Sequence, residues 1–406
     1  MPFFGRGGTM LILKNCNFIA DLVEGFGETA GDILVEQDRI KTIAPCGTLQ
    51  ANEGDQVLDM QGQYVLPGLF DLHIHLTLSG GETLVDNAKS PIQQALDAVK
   101  YAADTLMAGF TTVRDVGSSY NVAVELRDAI QAGNFPGPNI IACGRIVTAT
   151  ECGNDYFQGM YAEADGKTEI WKAVREEMKR GADFIKIMGT GAVMNPGGEP
   201  GQPIYTLDEL KAVVEAAAFK DTYVATHCHG TQAIKNSILA GVRTIEHATI
   251  LDDEAIEMLK DSTTSYIVPT LTSLYALADS VPDTSIFMKA KAQKILGCLK
   301  EGLRKAYEAG LVIGFGTDQG GVPLVHGENA DEFALRRDFW GMKELDIIKQ
   351  ATINSAKIVR VEQDYGTLKS GKIADIIAVS KNPLEDISAF RNNLTTVVKS
   401  GCVVKS

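Results

Sequence analysis

The sequence predicts an α/β fold. A (β/α)8 TIM barrel spans residues 66–365, and a small β-sandwich domain is built from both chain ends, residues 1–65 plus 366–406. Three observations carry this. In the middle of the chain, eight apolar strand candidates alternate with helical patterns. At both ends, short strand-like runs are separated by turn residues. Five of the six histidines fall at predicted strand ends.

The N-terminal runs lie over 10–15, 32–36, 39–44, 57–60 and 63–66, broken by Gly, Asp and Asn turns. The C-terminal runs, 374–380 and 394–399, follow the turn cluster Gly366-Thr-Leu-Lys-Ser-Gly371. Neither group supplies a full core, so the two should pack on one another. Barrel strands are expected over 65–76, 110–115, 139–143, 184–188, 223–227, 242–247, 266–270 and 312–318. Helical periodicity falls between them, including 91–108, 168–181, 207–218, 253–259 and 286–309.

At 406 residues, 45% hydrophobic and 22% charged, the chain has an ordinary globular composition and can bury a large core. No run reaches the ~18 apolar residues of a membrane span. The start, Met1-Pro-Phe-Phe-Gly-Arg, does not read as a signal peptide, and residues 1–9 are either native or a leader ahead of a start at Met10. A net charge of −14 argues against nucleic acid and anionic membrane surfaces as partners. The seven cysteines are scattered, with no Cys-x-x-Cys pair. That opposes a disulfide framework or zinc–thiolate site and favours a reducing, cytoplasmic location. Cys228, between two histidines, is read as an inert apolar residue.

The chemistry begins at Asp71-Leu-His73-Ile-His75, which closes an apolar run. Residues i and i+2 of a strand share a face, so two imidazoles leave it together. Alone, this is read equally well as two half-buried polar residues. The other strands decide. Lys186 lies in the fourth, His227 and His229 end the fifth, His247 ends the sixth and Asp318 ends the eighth. All would converge on the C-terminal face of the barrel, its catalytic face. Imidazoles with a carboxylate and no cysteine pair suit zinc, ahead of manganese, cobalt or iron. Lys186 is flanked by Phe184, Ile185, Ile187 and Met188, which argues for a buried lysine over a surface one. His326 is read as loop structure. Arg114 and Asp115 end the second strand, as an internal ion pair or a contact to a substrate carboxylate. Asn195-Pro-Gly-Gly198 is read as a flexible turn and lid candidate.

Pro67-Gly-Leu-Phe-Asp-Leu-His-Ile-His75, Lys186, His227, His247 and Gly316-Thr-Asp318 resemble the metal-dependent amidohydrolase superfamily, over nearly the whole chain. Ala108-Gly-Phe-Thr-Thr-Val-Arg-Asp, Gly181-Ala-Asp-Phe-Ile-Lys-Ile-Met, Thr244-Ile-Glu-His, Val268-Pro-Thr-Leu and His326-Gly-Glu-Asn look like one branch of it. That branch holds prolidase-like Xaa-Pro dipeptidases, Xaa-Arg/Lys carboxypeptidases and imidazolonepropionase-related enzymes. The resemblance implies two divalent metal ions, zinc in the first instance, bridged by a CO2-derived carbamate on Lys186. It puts His73, His75 and Asp318 on the more buried ion and His227 and His247 on the other. It also implies a metal-bridging hydroxide, with Asp318 as general base and then acid. His229 would contact substrate or support a ligand from behind.

The substrate implied is a dipeptide or N-acyl amino acid, of Xaa-Pro or Xaa-Arg/Lys type. Homo-oligomers are common among such relatives. The alternative is a cyclic amide hydrolase or deaminase of imidazolone or nucleobase type. Those usually work with a single metal and lack the bridging lysine, so Lys186 counts against them. A non-enzymatic assembly role is disfavoured by the complete ligand set. One departure stands out: Val147-Thr-Ala-Thr-Glu-Cys-Gly-Asn-Asp-Tyr156 replaces the Gly-Gly-His type segment of many branch members. It is read as a loop bordering the pocket, with Tyr156 and Glu151 as candidate substrate contacts.

Overall fold

Turn-punctuated runs at the N-terminal end form β1 (Met10–Phe18), β2 (Ala30–Glu36), β3 (Arg39–Ala44), β4 (Gln56–Asp59) and β5 (Tyr64–Pro67). The computed structural model describes residues 10–78, 80, 89–197, 199–279, 286–321 and 323–406. The leader read over 1–9, and Gly198 of the lid candidate, lie outside the described residues.

The expected strand over 65–76 divides in two. Pro67 lacks an N–H to continue a ladder, and the N–H of Gly68 donates to Asp375 O (2.8 Å). The chain then enters β6 (Leu69–Ile74), buried at every residue. Alternating elements follow: α1 (Pro91–Met107), β7 (Phe110–Asp115), α2 (Val122–Gln131), β8 (Asn139–Ala142), β9 (Ile146–Thr148), β10 (Tyr161–Glu163), α3 (Gly166–Lys179), β11 (Ile185–Met188), α4 (Leu207–Ala218), β12 (Val224–Cys228), α5 (Thr231–Ala240), β13 (Thr244–His247), α6 (Asp253–Asp261), β14 (Tyr266–Val268), α7 (Leu271–Asp279), α8 (Ile286–Glu308) and α9 (Asp331–Trp340). Local signals fix several starts. Ser90 caps α1 ahead of Pro91, and Thr206 with Glu209 closes a capping box on α4. β9 and β10 were not anticipated. β9 occupies the stretch read as loop from 147, where the β-branched run Ile146-Val-Thr favours an extended chain.

These strands form two parallel sheets, β6-β7-β8 and β10-β9-β11-β12-β13-β14. Hydrogen bonds continue across the gaps between them. Asp183 N–H donates to Ala142 O (2.8 Å) and its carboxylate accepts from Ala142 N (2.9 Å). On the other side runs the segment 312–318, which meets β14 through Gly314 N to Ile267 O (2.9 Å). It meets β6 through Leu72 N to Phe315 O (2.8 Å) and Asp318 N to His73 O (2.7 Å). Expected as a strand, 312–318 has extended pairing only at isolated bridges. Side chains hold it instead. Asn354 Nδ2 donates to Ile313 O, Arg336 to Gly314 O, and Ser355 Oγ accepts from Phe315 N. Gly316 lets the segment approach closely: a Cβ there would lie 2.8 Å from Val268 and 2.9 Å from His73 Cβ. Asn354 belongs to the π-turn Gln350–Asn354, a distortion common near functional sites.

The C-terminal strands β15 (Ile376–Val379), β16 (Leu394–Lys399) and β17 (Cys402–Lys405) join the N-terminal ones in a single eight-stranded sheet. Its order is β17-β16-β15-β5-β1-β2-β3, with β4 also paired to β1. Leu11, Leu13, Ile33, Val35, Ile376 and Val398 share one apolar cluster on it.

Glu24 ties the two ends together. Its carboxylate accepts from Lys369 Nζ (2.7 Å) and Thr367 Oγ1 (2.5 Å), which, with the nearby Lys372 charge, pull its pKa from 4.5 down to about 2. A depressed carboxylate stabilises the fold above its unfolded pKa, and that contribution disappears as pH falls from 4.5 through 2. The group is solvent-screened, so Glu24→Gln should cost less than about 1 kcal/mol at pH 7. Urea titrations should show the gap between variant and wild type closing below pH 4.5. A gap independent of pH would rule this coupling out.

Candidate metal centre

The C-terminal ends of the parallel strands deliver seven buried polar side chains to one place: His73, His75, Lys186, His227, His229, His247 and Asp318. Ring centroids of His73 and His247, and of His227 and His247, lie 4.6 Å apart. Those of His227 and His229 lie 4.7 Å apart. Donor atoms of His73, His247 and Asp318 fall within 4.8 Å of one another, as do those of His227, His229 and His247.

Backbone geometry explains the convergence. His73 with His75, and His227 with His229, use the period-2 alternation of a strand. Glu246 and His247 would point to opposite faces of a regular strand. Left-handed φ values of +66° at His247 and +46° at Ala248 turn the chain so that both reach the centre. Asp318 is also left-handed, at +65°. Such backbones cost roughly 1–3 kcal/mol each and persist only where the surroundings enforce them.

Partners behind the rings fix their tautomers. His73 Nδ1 donates to Glu246 Oε2 (2.9 Å), and His75 Nδ1 to Gly117 O (2.9 Å). A carboxylate and a carbonyl can only accept, so both Nε2 atoms face inward as lone pairs. They lie 3.5 and 3.4 Å from Asp318 Oδ1. Three acceptors thus converge, and a hydrogen bond from Ser273 also reaches the Asp318 carboxylate. His227 Nε2 is likewise buried without a hydrogen-bond partner. Threonine hydroxyls serve the remaining rings: Thr249 Oγ1 lies 2.7 Å from His229 Nδ1, and Thr270 Oγ1 2.7 Å from His247 Nδ1.

Burial sets the charge states. It drives His73, His227 and His247 well below the usual imidazole value, and His75 and His229 to about 3, helped by the Lys186 charge at each. These rings are neutral and need shed no proton to bind a cation. Burial also lowers Lys186, against the opposing pull of Glu246 and Asp318. It raises Asp318 to about 7, with Lys186 pulling the other way. Converging lone pairs, neutral imidazoles and an inward carboxylate fit divalent cations.

Other expected residues stand elsewhere. Arg114 is fully buried, but its guanidinium is spent within the sheets. It donates to Leu72 O (2.7 Å), Thr244 Oγ1 (3.0 Å) and Glu246 Oε1 (2.7 Å). Its place is behind the centre, holding Glu246, and not at the substrate. Asp115 does not pair with it; it accepts from Leu76 N (2.8 Å) and Gly117 N (3.1 Å). Tyr156 is 60% exposed on the turn Asn154–Tyr156 and is not among the cavity-lining residues described. His326 Nε2 donates to Leu78 O (3.0 Å), and its ring stacks on Tyr101. Asn195 is buried, and Lys291 Nζ donates to its carbonyl (2.8 Å), so this part of the lid candidate is tied down.

Sequence reasoning missed Glu246 and Asp71. Glu246 couples His73 to Arg114, a carboxylate behind a metal-site histidine. Asp71 accepts from His73 N (3.1 Å), Thr317 Oγ1 (2.6 Å) and Asn329 Nδ2 (2.8 Å), locking the first strand to the segment carrying Asp318. The signal available was position: each acid stands within two residues of a candidate ligand histidine on a buried strand.

Over the histidines lies a small cavity of about 30 Å³, lined by His227, His229, His247, Asp318, Thr249 and Ser273 among others.

Comparison with known proteins agrees with this geometry. A solved structure of a Xaa-Pro dipeptidase with methionine bound in its active site superposes with a TM-score of 0.89 at 33% identity, over 98% of this chain and 100% of that one. A prolidase complexed with N-methylphosphonate-L-proline superposes at 0.88 and 28% identity, again over 98% and 100%. Ochratoxinase of Aspergillus niger is 30% identical over 372 residues, covering 84% of this chain and 75% of the relative. The amidohydrolase family profile matches residues 64–404, a span that contains every ligand candidate described above. The chain therefore belongs to the amidohydrolase family, and it is a hydrolase acting on C–N bonds.

Proposed function

We propose that this chain is a binuclear-metal hydrolase that cleaves the amide bond of a dipeptide or N-acyl amino acid. The observation that carries it is the convergence of His73 Nε2, His75 Nε2 and Asp318 Oδ1 as acceptors, with the charge of buried Lys186 acting on all three residues. His73, His75 and Asp318 would hold one ion, and His227 and His247 the other. Lys186, as the CO2-derived carbamate, would bridge them. Zinc suits this donor set. Bound ions of this kind polarise water and a scissile carbonyl.

The protein's own groups do the rest. Asp318 takes a proton from the attacking water and returns it to the leaving nitrogen. His229, its Nδ1 held 2.7 Å from the Thr249 hydroxyl, carries its proton on Nε2 in this reading and donates to the substrate carbonyl oxygen. Relatives that hold methionine, or a phosphonate analogue on proline, support an amino acid as product.

The reading includes a closed (β/α)8 barrel over 66–365 and an end domain from 1–65 plus 366–406. The bonds across both gaps between the parallel sheets support closure, although β5 straddles the first boundary. It also places the enzyme in the cytoplasm as a homo-oligomer. The free cysteines support a reducing compartment. Among the described residues no helix is long and apolar enough to cross a membrane.

The test is direct. Purified enzyme should carry about two ions per chain. Chelation should abolish release of amino acids from dipeptide and N-acyl libraries, and zinc should restore it. Ammonia release from aromatic amines without amino-acid release would move the assignment to a deaminase.

A further inference from the structure

A row of hydroxyls joins His247 to Asp318. His247 Nδ1 lies 2.7 Å from Thr270 Oγ1, and Thr270 Oγ1 lies 3.2 Å from Ser273 Oγ. Ser273 in turn hydrogen-bonds the Asp318 carboxylate. All four residues are buried, and all four line the cavity.

The hydroxyls stand where the chain leaves β14 and enters α7, Thr270 just before the helix and Ser273 in its first turn. A fully buried ion pair on α9 braces this turn. Glu332 accepts from Leu271 N (3.2 Å), Thr272 N (2.8 Å) and Thr272 Oγ1 (2.5 Å), satisfying N–H groups that a helix start leaves open. Arg336 pairs with Glu332 (2.7 Å) and donates to Pro269 O (2.7 Å) and Gly314 O (2.9 Å). One ion pair therefore sets both hydroxyls against the segment that ends on Asp318.

The direction of the row follows from its ends. An ionised carboxylate only accepts, so Ser273 donates to Asp318. Thr270 O also lies 3.3 Å from Ser273 Oγ, but a charged acceptor makes the stronger bond. Ser273 Oγ then accepts from the Thr270 hydroxyl, and Thr270 Oγ1 accepts from His247 Nδ1–H. That order requires the His247 tautomer whose Nε2 is a lone pair. With the proton on Nε2, the Thr270 hydroxyl donates to Nδ1 instead. Thr270 Oγ1 is then an acceptor for Ser273 and draws its proton away from Asp318.

We infer that Ser273 is a positioning residue for Asp318, and that Thr270 ties its orientation to the tautomer of His247. His247, when its Nε2 is a ligand, turns both hydroxyls toward Asp318. The imidazole on one ion thereby helps to orient the proton-transfer group at the other. This rests on the amide-hydrolase reading above.

The experiment compares wild type with Ser273→Ala, Ser273→Thr, Thr270→Val and the Thr270→Val/Ser273→Ala double variant, at saturating zinc, on Ala-Pro and N-acetylmethionine. Loss of a hydrogen bond to a charged group should lower kcat in Ser273→Ala by roughly 10- to 100-fold with little change in KM. Ser273→Thr keeps the hydroxyl and should recover most of that loss. Thr270→Val should lower kcat as well, and the double variant should be no slower than the slower single one, because both break one row. Losses that multiply in the double variant, or an unchanged kcat in Ser273→Ala, would overturn the inference and leave amide hydrolysis standing. Spectra of 15N-histidine in the zinc-loaded protein give a readout independent of turnover. They should show His247 protonated on Nδ1, and protonation on Nε2 would overturn the inference. Failure of wild type to release an amino acid from any dipeptide or N-acyl substrate would overturn the amide-hydrolase reading, and with it the role assigned to Ser273.

Discussion

Lys186→Ala should lower kcat/KM by at least about 10³-fold and cut metal content from about two ions per chain to about one or fewer. Lys186 is 1% exposed on a strand whose neighbours Ile185 and Ile187 are also buried. Burial disfavours its ammonium, and the Arg114 charge adds to that. In the proposed bridge the neutral amine would attack CO2: the new N–C bond would give the carbamate, and the displaced proton would leave to solvent. An ammonium offers only donors and could not serve as a ligand. Alanine would remove the anion proposed to bridge the two ions. Metal analysis, single-substrate kinetics and a melting curve on the same sample separate loss of the bridge from loss of fold. A folded variant with full metal and full rate would remove Lys186 from the site.

Asp318→Asn should lower kcat by about 10²–10⁴-fold, the usual range for a lost proton-transfer group, with a smaller change in KM. The amide keeps the side chain's shape and cannot take a proton. The pH profile supplies the sign. Burial raises this carboxyl to about 7 in the metal-free protein, and a bound cation favours the ionised form and brings it down. A general base must be ionised, so wild-type kcat should fall on an acid limb below pH 7. That limb should be absent from the residual activity of the variant. An acid limb unchanged in Asp318→Asn would assign it to another group.

Much of this was legible because period and position are linear properties. Seven of the eight expected strands appear within a few residues of their predicted bounds, since apolar runs bounded by helical patterns admit few other readings. Every histidine expected at the centre is there, because a strand end fixes where a side chain can go. The eighth segment is less regular than expected: it keeps backbone hydrogen bonds to both neighbours, ends on left-handed Asp318, and is held further by side chains from distant helices. Arg114 was misplaced because its partner Glu246 lies 132 positions away and no spacing rule reaches that far. Tyr156 was chosen for its chemistry alone, and the turn that carries it faces solvent.

The shared end sheet carries a consequence for synthesis. β5 pairs on one side with β1, and on the other with β15, where Leu66 lies opposite Ile377. On the ribosome β5 emerges early, and its second neighbour is made roughly three hundred residues later. At 5–20 residues per second that is about 15–60 s with a row of unpaired N–H and C=O groups on Tyr64-Val-Leu-Pro67. During that interval the nascent chain presents a ready template for another nascent chain. Soluble yield should therefore depend on translation rate and temperature, and removing β15–β17 would make the open edge permanent.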